Sequence, residues 1–267
     1  MKIVDRGHGA PLVVIPGVQG RWEWMQPAID ALAAHCRVIT FSLADEPSSS
    51  GRFDETRGFW CYVDQVRDAL DAAGIAEAAI CGVSYGGLIA AAFAARHPRR
   101  ISSLVLVSAV PPSWKPDGRV RFYLRAPRLL TPLFIIGSAR MLPEIAAASP
   151  GRVLRTAAAH VWRVVTHFFS PALMARRIHL LAPVDLTREI QTVNVPTLVI
   201  TGEKTLDRVV PVDATREYAR IWPHARVHTL ARSGHIGLIT RPVEFAGLVV
   251  PFIHNSGAVA GDRRHVG

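Results

Sequence analysis

The sequence predicts an α/β protein, with a mostly parallel sheet and helices on both of its faces. Short apolar runs alternate with longer stretches of helical periodicity, which indicates repeated strand–helix units. The apolar runs are continuous rather than alternating, as expected for strands that are buried on both faces. The alternation is interrupted once, over residues 111–190, where helical patterns and scattered prolines occur without a convincing strand.

The individual elements follow from this periodicity. We predict strands at residues 12–16, 37–41, 78–83, 101–108, 197–201 and 226–230. We predict helices at residues 22–35, 59–73, 86–97, 212–221 and 243–254. Gly74 and Pro98 end the second and third of these helices, because glycine favours a helix C-cap and proline cannot continue a helix.

The chain of 267 residues suits one large domain that carries an insertion. We predict that residues 1–110 and 191–254 form the core and that residues 111–190 form a helical cap. Residues 255–267 have little to pack and are predicted to be a disordered tail. The cap is strongly basic, since Lys115 and eleven arginines stand against four acidic residues, a net charge of +8 (12 minus 4).

The whole chain has a net charge of +10 and a sequence pI near 10.5. Such a charge suits nucleic acids, membrane surfaces or anionic substrates. However, most basic residues are scattered arginines, and no helix-turn-helix, zinc-finger or RNA-binding motif accompanies them. We therefore interpret the charge as a solvated, arginine-rich surface and expect no nucleic-acid partner.

The apolar runs, the N-terminus and the cysteines exclude several classes of protein. No apolar run reaches the roughly 18 residues needed to span a bilayer, and the N-terminus lacks the apolar segment of a signal peptide. We therefore expect a cytoplasmic protein without a transmembrane segment. Cys36, Cys61 and Cys81 are odd in number and have no close pair, which argues against a disulfide framework and against a zinc site.

Ser84 is the candidate nucleophile. Residues 82–86 read Gly-Val-Ser-Tyr-Gly and fit the pattern Gly-x-Ser-x-Gly. They come directly after a predicted buried strand and directly before a helix, as a nucleophilic serine on a sharp turn requires. The flanking glycines leave room for the strand and helix to approach each other. A glycine-rich turn with an incidental serine would share the motif, but the strand–turn–helix context favours a catalytic role.

A serine hydroxyl needs a base, and the base needs a carboxylate to orient it. His235 is the candidate base because it follows the last predicted strand, where catalytic loops gather in open α/β sheets. Asp207 follows the strand at 197–201 and gives the chain order serine, acid, histidine that is expected for this triad. Glu203 stays open as a rival acid because it is closer to the strand end, although a structural hydrogen bond would also explain it.

Acyl transfer also needs hydrogen-bond donors for the developing oxyanion. The backbone N–H of Tyr85, the residue after the nucleophile, is one candidate. The backbone N–H of Val18, in the glycine turn at residues 17–20, is the other. A plain strand–helix turn would have a similar sequence at this position.

At these residues the chain resembles the α/β-hydrolase superfamily, in the group of small serine esterases with a helical cap. The resemblance covers residues 2–254 and is strongest over residues 82–87, 196–203, 207–211, 233–235 and 242–245. It implies the α/β-hydrolase fold, with residues 111–190 as a cap over the active site. It also implies hydrolysis of an ester, thioester or amide without a metal or an organic cofactor.

The chain departs from the family pattern in three places. Pro16 and Gly17 stand where the family often has His-Gly, so the oxyanion loop is atypical. Asp207 lies five residues after Gly202, whereas the family's acid usually comes about three residues after that glycine. The chain also begins close to the family's second strand, so the usual first strand is expected to be absent or altered.

These features together predict a serine hydrolase that cleaves a carboxylic ester or thioester through an acyl-enzyme. Its expected partner is a small-molecule ester, neutral or anionic. Two alternatives stay open. One is a C–C bond hydrolase or lyase whose basic cap binds a carboxylated substrate through bidentate arginine contacts. The other is a hydrolase-like binding protein with little turnover.

Overall fold

The computed structural model contains a seven-stranded sheet in the order β1-β3-β2-β4-β5-β6-β7. It describes residues 1–51, 53–148, 151, 158–159, 161–162 and 166–263, with the backbone alone for residues 134, 135, 138 and 257–263. β1 pairs antiparallel with β3, and the other neighbouring strands pair in parallel. The strands are β1 (Val4–Arg6), β2 (Pro11–Ile15), β3 (Arg37–Thr40), β4 (Ala78–Val83), β5 (Ile101–Val107), β6 (Thr197–Thr201) and β7 (Arg226–Thr229).

The mostly parallel sheet predicted from the sequence is confirmed, and each of the six predicted strands lies within one residue of its expected bounds. β1 is an additional strand. Its three residues are partly or fully exposed and include an aspartate and an arginine, so no apolar run marks it in the sequence. A short antiparallel edge strand therefore precedes the parallel sheet.

Helices connect the strands and cover the sheet. They are α1 (Gln26–Ala33), α2 (Trp60–Ala72), α3 (Tyr85–Arg96), α4 (Gly118–Arg125), α5 (Thr131–Gly137), α6 (Leu142–Ala148), α7 (Pro171–Leu181), α8 (Leu186–Glu189), α9 (Val212–Thr215), α10 (Glu217–Ile221), α11 (Gly237–Thr240) and α12 (Pro242–Arg263). The helix predicted at residues 22–35 begins as a 3₁₀ turn, Trp22–Met25, before α1. The helix predicted at residues 212–221 is divided into α9 and α10.

Two apolar cores lie on opposite faces of the sheet. In β2, Val13 and Ile15 join the core that also contains residues of α2 and α3, whereas Leu12 and Val14 join the core that contains residues of α1 and α12. All four side chains are fully buried. The continuous apolar run therefore reflects a strand that is covered on both faces, as predicted.

The segment between β5 and β6, residues 111–190, forms helices α4 to α8, and its described residues contain no strand. We call it the cap segment. Its helices lie between β5 and β6, over the same residues for which the sequence predicted an insertion.

The C-terminal segment differs from the prediction of a disordered tail from residue 255. Helix α12 continues to Arg263. Ser256 is buried, and its hydroxyl donates a hydrogen bond to the Phe252 carbonyl oxygen at 2.8 Å, which satisfies the hydroxyl within the helix. Residues 264–267 lie outside the described part of the chain.

Within the described residues, none of the helices combines the length and hydropathy that a membrane span requires.

Candidate active site

Ser84 lies in a strained turn between β4 and α3. Its φ of 54° and ψ of −117° are rare for a residue with a side chain and cost roughly 1–3 kcal/mol. The glycines on either side make the turn possible. A Cβ atom on Gly82 would lie 2.3 Å from the Gly86 carbonyl oxygen, and one on Gly86 would lie 2.5 Å from the Pro16 carbonyl oxygen. Backbone strain is thus concentrated at the candidate nucleophile.

His235 lies in the loop after β7 and faces Ser84. Its Nε2 atom is 3.1 Å from the Ser84 Oγ atom, within the reach that a general base needs. Ser84 is 9% exposed, and the His235 side chain is 12% exposed. The pair is therefore close to the surface but shielded from most water.

Asp207 faces the other ring nitrogen of His235. Its Oδ1 atom is 3.4 Å from His235 Nδ1, an ion-pair distance, and Nδ1 makes no hydrogen bond of good geometry to the described residues. Oδ1 also accepts hydrogen bonds from the backbone N–H groups of Val210 at 3.0 Å and Val209 at 3.1 Å. Burial opposes ionisation, but His235 and these N–H groups outweigh it and hold the Asp207 pKa below its ordinary value.

Glu203 makes a different contact. Its Oε1 atom accepts a hydrogen bond from the Arg232 backbone N–H at 2.7 Å, and its own N–H donates to the Ser233 carbonyl oxygen at 2.8 Å. Glu203 therefore ties the end of β6 to the loop that leads to His235. Of the two rival acids, the structure brings Asp207 to the histidine ring and Glu203 to the backbone of its loop.

The candidate oxyanion donors flank Ser84. Tyr85 is the first residue of α3, where backbone N–H groups have no acceptor within the helix. On the other side, Gly17 is adjacent to Ser84, since a Cβ on Gly17 would lie 3.3 Å from the Ser84 Cβ. Val18 follows in the same turn, which is closed by a 2.9 Å hydrogen bond from the Gly20 N–H to the Gly17 carbonyl oxygen.

A buried arginine of the cap segment supports this turn. Arg177 of α7 is fully buried, and its Nη1 donates to the Val18 carbonyl oxygen at 2.7 Å. Its Nη2 donates to Asp45 and Glu46, each at 2.7 Å. Burial alone would lower the Arg177 pKa, but these two carboxylates outweigh it and raise the pKa. A Cβ on Gly20, at φ +82°, would lie 2.3 Å from the guanidinium, so this turn and Arg177 are packed together.

Two aromatic residues join the core to the cap segment. The Tyr85 hydroxyl donates to the Arg177 carbonyl oxygen at 3.1 Å. The Trp24 indole donates to the His167 carbonyl oxygen at 2.9 Å, and its ring packs edge-on against Phe169. Both contacts hold the cap segment against the core, and the Tyr85 contact does so at the residue next to Ser84.

Glu144 is a buried acid beside the loop that carries His235. It belongs to α6 of the cap segment, is 1% exposed, and accepts a hydrogen bond from the Ile236 N–H at 3.1 Å. Burial raises its pKa to about 7, against the N–H groups of Gly234 and Ile236 and the charge of His235, which lower it. No motif in the sequence marks Glu144 as a site residue. The sequence feature that could have indicated it is the position of this acid on the face of α6 that also carries Ile145 and Ala148 and is otherwise apolar.

The three cysteines are free and buried, and burial raises the pKa of Cys36 to about 11 and that of Cys81 to about 12. Neither thiol therefore has nucleophilic character at neutral pH. The described residues contain no group of three or more His, Cys, Asp or Glu side chains arranged to hold a metal ion.

Comparison with known proteins identifies the class. A family model described as the alpha/beta hydrolase fold matches residues 10–242. The chain therefore belongs to the α/β-hydrolase family.

Individual relatives differ in the bond named for them. The chain is 28% identical to a protein of Azorhizobium caulinodans that is provisionally named carbamate hydrolase RutD, over 92% of each chain. It is 26% identical to the 2-hydroxymuconate semialdehyde hydrolase of Pseudomonas putida, over 96% of this chain and 91% of the relative.

Solved structures share the fold across nearly the whole chain. The enol-lactonase from Burkholderia xenovorans LB400 aligns with a TM-score of 0.76 at 24% identity, over 95% of this chain and 96% of that one. The bromoperoxidase from Bacillus anthracis aligns with a TM-score of 0.75 at 21% identity, over 94% of each chain. At these identities the likeness shows the common fold alone.

Proposed function

We propose that the protein is a serine hydrolase that cleaves a carboxylic ester or thioester through an acyl-enzyme. The observation that carries the proposal is the contact of Ser84 with His235 at 3.1 Å, with Asp207 on the opposite side of the imidazole ring. This arrangement supports Ser84 as nucleophile, His235 as base and Asp207 as orienting acid in acyl transfer.

In the proposed acylation, His235 Nε2 takes the proton from Ser84 Oγ as this oxygen attacks the substrate carbonyl carbon. The carbonyl π-electrons move to oxygen, and the backbone N–H groups of Tyr85 and Val18 stabilise the resulting oxyanion. When the tetrahedral species collapses, the leaving alcohol or thiol takes the proton from His235. Asp207 favours the tautomer with a proton on Nδ1 and stabilises the imidazolium.

Deacylation repeats these steps with water as the nucleophile. His235 takes a proton from water, hydroxide adds to the acyl carbon, and Ser84 leaves with the proton that His235 returns. The products are the free acid and the regenerated enzyme. No step needs a group beyond the side chains and backbone donors named here.

Similarity to relatives does not select the bond, because the relatives' names refer to a carbamate and to a semialdehyde. We favour esters because an ester needs only the nucleophile, the base and the oxyanion donors. The test is steady-state hydrolysis of p-nitrophenyl acetate, p-nitrophenyl butyrate and phenyl thioacetate by the wild type and by Ser84→Ala. We expect the variant to lose at least about 10⁴-fold in kcat. Undiminished turnover by the variant would remove Ser84 from the mechanism.

Arg140 favours a second candidate, a hydrolase for carboxylated substrates, including a C–C bond hydrolase. Arg177 is already neutralised by Asp45 and Glu46. Arg140 is partly buried, and its Nε makes no hydrogen bond to the described residues. Burial, and then Arg119, lower its pKa, whereas Asp207 raises it, so Arg140 is within electrostatic reach of the proposed triad.

The carboxylate preference is tested with two matched esters, p-nitrophenyl acetate and p-nitrophenyl hemisuccinate. If Arg140 binds a substrate carboxylate, Arg140→Gln lowers kcat/KM about tenfold for the hemisuccinate and leaves the acetate unchanged. Arg121→Gln is the control, since Arg121 is an exposed arginine of the same segment. An equal change in kcat/KM for both esters would reject a carboxylate-binding role of Arg140 and leave the proposal of a neutral ester substrate. Tight binding of the hemisuccinate without turnover would instead favour the low-turnover binding protein.

A further inference from the structure

Glu144 links the cap segment to the loop of the candidate base. Its two carboxylate oxygens lie 3.1 and 3.2 Å from the backbone nitrogen of Ile236, the residue that follows His235. On the other side of His235, a Cβ on Gly234 would lie 2.8 Å from Glu144 Oε2. The carboxylate therefore packs against the backbone on both sides of the histidine.

The Glu144 contact is buried and is supported by the packing of its helix. Glu144 is 1% exposed, so it is desolvated, and a buried carboxylate is costly unless hydrogen bonds compensate for the lost water. Helix α6 also packs against α11, which begins two residues after His235. The side-chain contact and the helix contact hold the same loop.

We propose that Glu144 is a positioning residue that fixes the His235 loop from the cap segment, and that its ionised form places the histidine better than its neutral form. This inference rests on the proposed function, because it assumes that His235 is the catalytic base. Glu144 acts through the backbone of the loop and does not itself exchange a proton with the substrate.

The charge state matters for two physical reasons. A carboxylate accepts a hydrogen bond from a backbone N–H more strongly than a neutral carboxyl group does. A negative charge near His235 also favours the imidazolium that forms when Ser84 loses its proton. The charges that act on Glu144 are those of His235 and Asp207 in the facing loops. Arg140 belongs to the 3₁₀ turn that precedes α6, and α11 supplies no charged side chain.

The expected pH dependence follows from the Glu144 pKa of about 7. Below pH 6 the group is mostly protonated, and glutamine is a close mimic of that state. Above pH 8 the wild type is ionised, whereas Glu144→Gln remains neutral. The advantage of the wild type over the variant should therefore increase as the pH rises through 7.

The experiment measures kcat/KM for p-nitrophenyl acetate from pH 5.5 to 8.5 in the wild type and in Glu144→Gln. We expect nearly equal activity at pH 5.5 and a loss of about fivefold in the variant at pH 8.5, carried by kcat rather than by KM. A ratio that does not change with pH would overturn the role proposed for the charge.

A second readout does not depend on turnover. Glu144→Ala removes the acceptor of the Ile236 N–H, so hydrogen exchange in residues 233–238 should accelerate by about tenfold or more, with a smaller change in Glu144→Gln. Asp117→Asn is the matched control, because Asp117 is an exposed acid of the cap segment whose Oδ1 accepts from the Val120 N–H. Unchanged exchange in Glu144→Ala would overturn the positioning role.

The two proposals fail in different ways. Full turnover by Ser84→Ala would reject the proposed function, and the exchange measurement would still decide whether Glu144 fixes the loop. Loss of turnover in Ser84→Ala, together with a pH-independent ratio for Glu144→Gln and unchanged exchange in Glu144→Ala, would reject the Glu144 proposal alone.

Discussion

The core and the cap segment contribute to the candidate site in different ways. The core supplies Ser84, Asp207 and His235 from loops that follow the carboxyl ends of β4, β6 and β7. The cap segment supplies the buried charges of Glu144 and Arg177, which contact the loops rather than the nucleophile. In our proposals, the fold therefore places the reacting groups, and the cap segment fixes the loops that carry them.

The two regions also differ in what holds them together. Core strands and helices pack through continuous apolar clusters on both faces of the sheet. The cap segment exposes large apolar side chains, among them Leu129 at 80%, Ile136 at 69% and Trp162 at 68%. Leu181, Leu186 and Ile190 of the segment join the apolar core, and the polar contacts of Arg177 and Glu144 add to this attachment. The polar contacts are where the comparison can be tested.

The largest expected effect belongs to the core. Asp207→Asn should lower kcat for p-nitrophenyl acetate by about 10⁴-fold, because the amide no longer favours the required histidine tautomer. Glu203→Gln should change kcat less than about threefold, since the amide oxygen still accepts from the Arg232 N–H. Steady-state kinetics of both variants check this. If Glu203→Gln lost more kcat than Asp207→Asn, Glu203 rather than Asp207 would be the acid of the triad.

The next effect belongs to the cap segment. Arg177→Met should lower the free energy of unfolding by about 3–5 kcal/mol, because Asp45 and Glu46 would stay buried without their cation. Denaturant unfolding measures this loss. Activity should fall as well, since the Val18 carbonyl would lose its donor. A variant as stable as the wild type would show that the buried cluster does not anchor the cap segment.

Glu144 should make stability depend on pH in a defined window. Its folded-state pKa of about 7 lies above the ordinary value of 4.5, so its stabilising contribution is complete below pH 4.5 and is lost as the pH rises through 7. Glu144→Gln carries no ionisable group here and does not lose this contribution. As the pH rises from 4.5 to above 7, the free energy of unfolding of the variant should therefore increase relative to that of the wild type, by roughly 3 kcal/mol at most. Unfolding free energies at pH 5 and pH 8 test the sign. A wild type that gains stability relative to the variant as the pH rises would contradict it.

The smallest effect belongs to the neighbour of Arg177. Arg176 is partly exposed, pairs with the exposed Glu55 and stacks on Phe53 at 4.2 Å. Arg176→Met should therefore lower the free energy of unfolding by less than about 1 kcal/mol. Comparing it with Arg177→Met isolates the effect of burial on two adjacent arginines. Equal losses would show that burial does not distinguish them.

Ser84 and His235 could be selected from the sequence because local patterns mark them. Ser84 is marked by glycines in a strand–turn–helix context, and His235 by the strand that precedes it. Asp207 and Glu203 could not be separated, because both follow β6 closely. What distinguishes them is the turn in which Asp207 accepts from the Val209 and Val210 N–H groups and faces the imidazole.

The cap contacts could not be predicted because no local pattern encodes them. Arg177 is 159 residues from Val18, and Glu144 is 92 residues from Ile236. Among eleven arginines of the cap segment, only its fold distinguishes the buried Arg177 from the partly exposed Arg176. The tail prediction differed from the structure because the residues beyond 254 have little apolar periodicity, although α12 continues through them.

The most direct test of the central claim is covalent labelling with a p-nitrophenyl organophosphonate, followed by peptide mapping of the adduct. Phosphonylation transfers the phosphonyl group to the activated serine oxygen and releases p-nitrophenolate. We predict one adduct per chain, on Ser84, and its absence in Ser84→Ala. An adduct on another residue, or equal labelling of the variant, would contradict the assignment of Ser84 as the nucleophile.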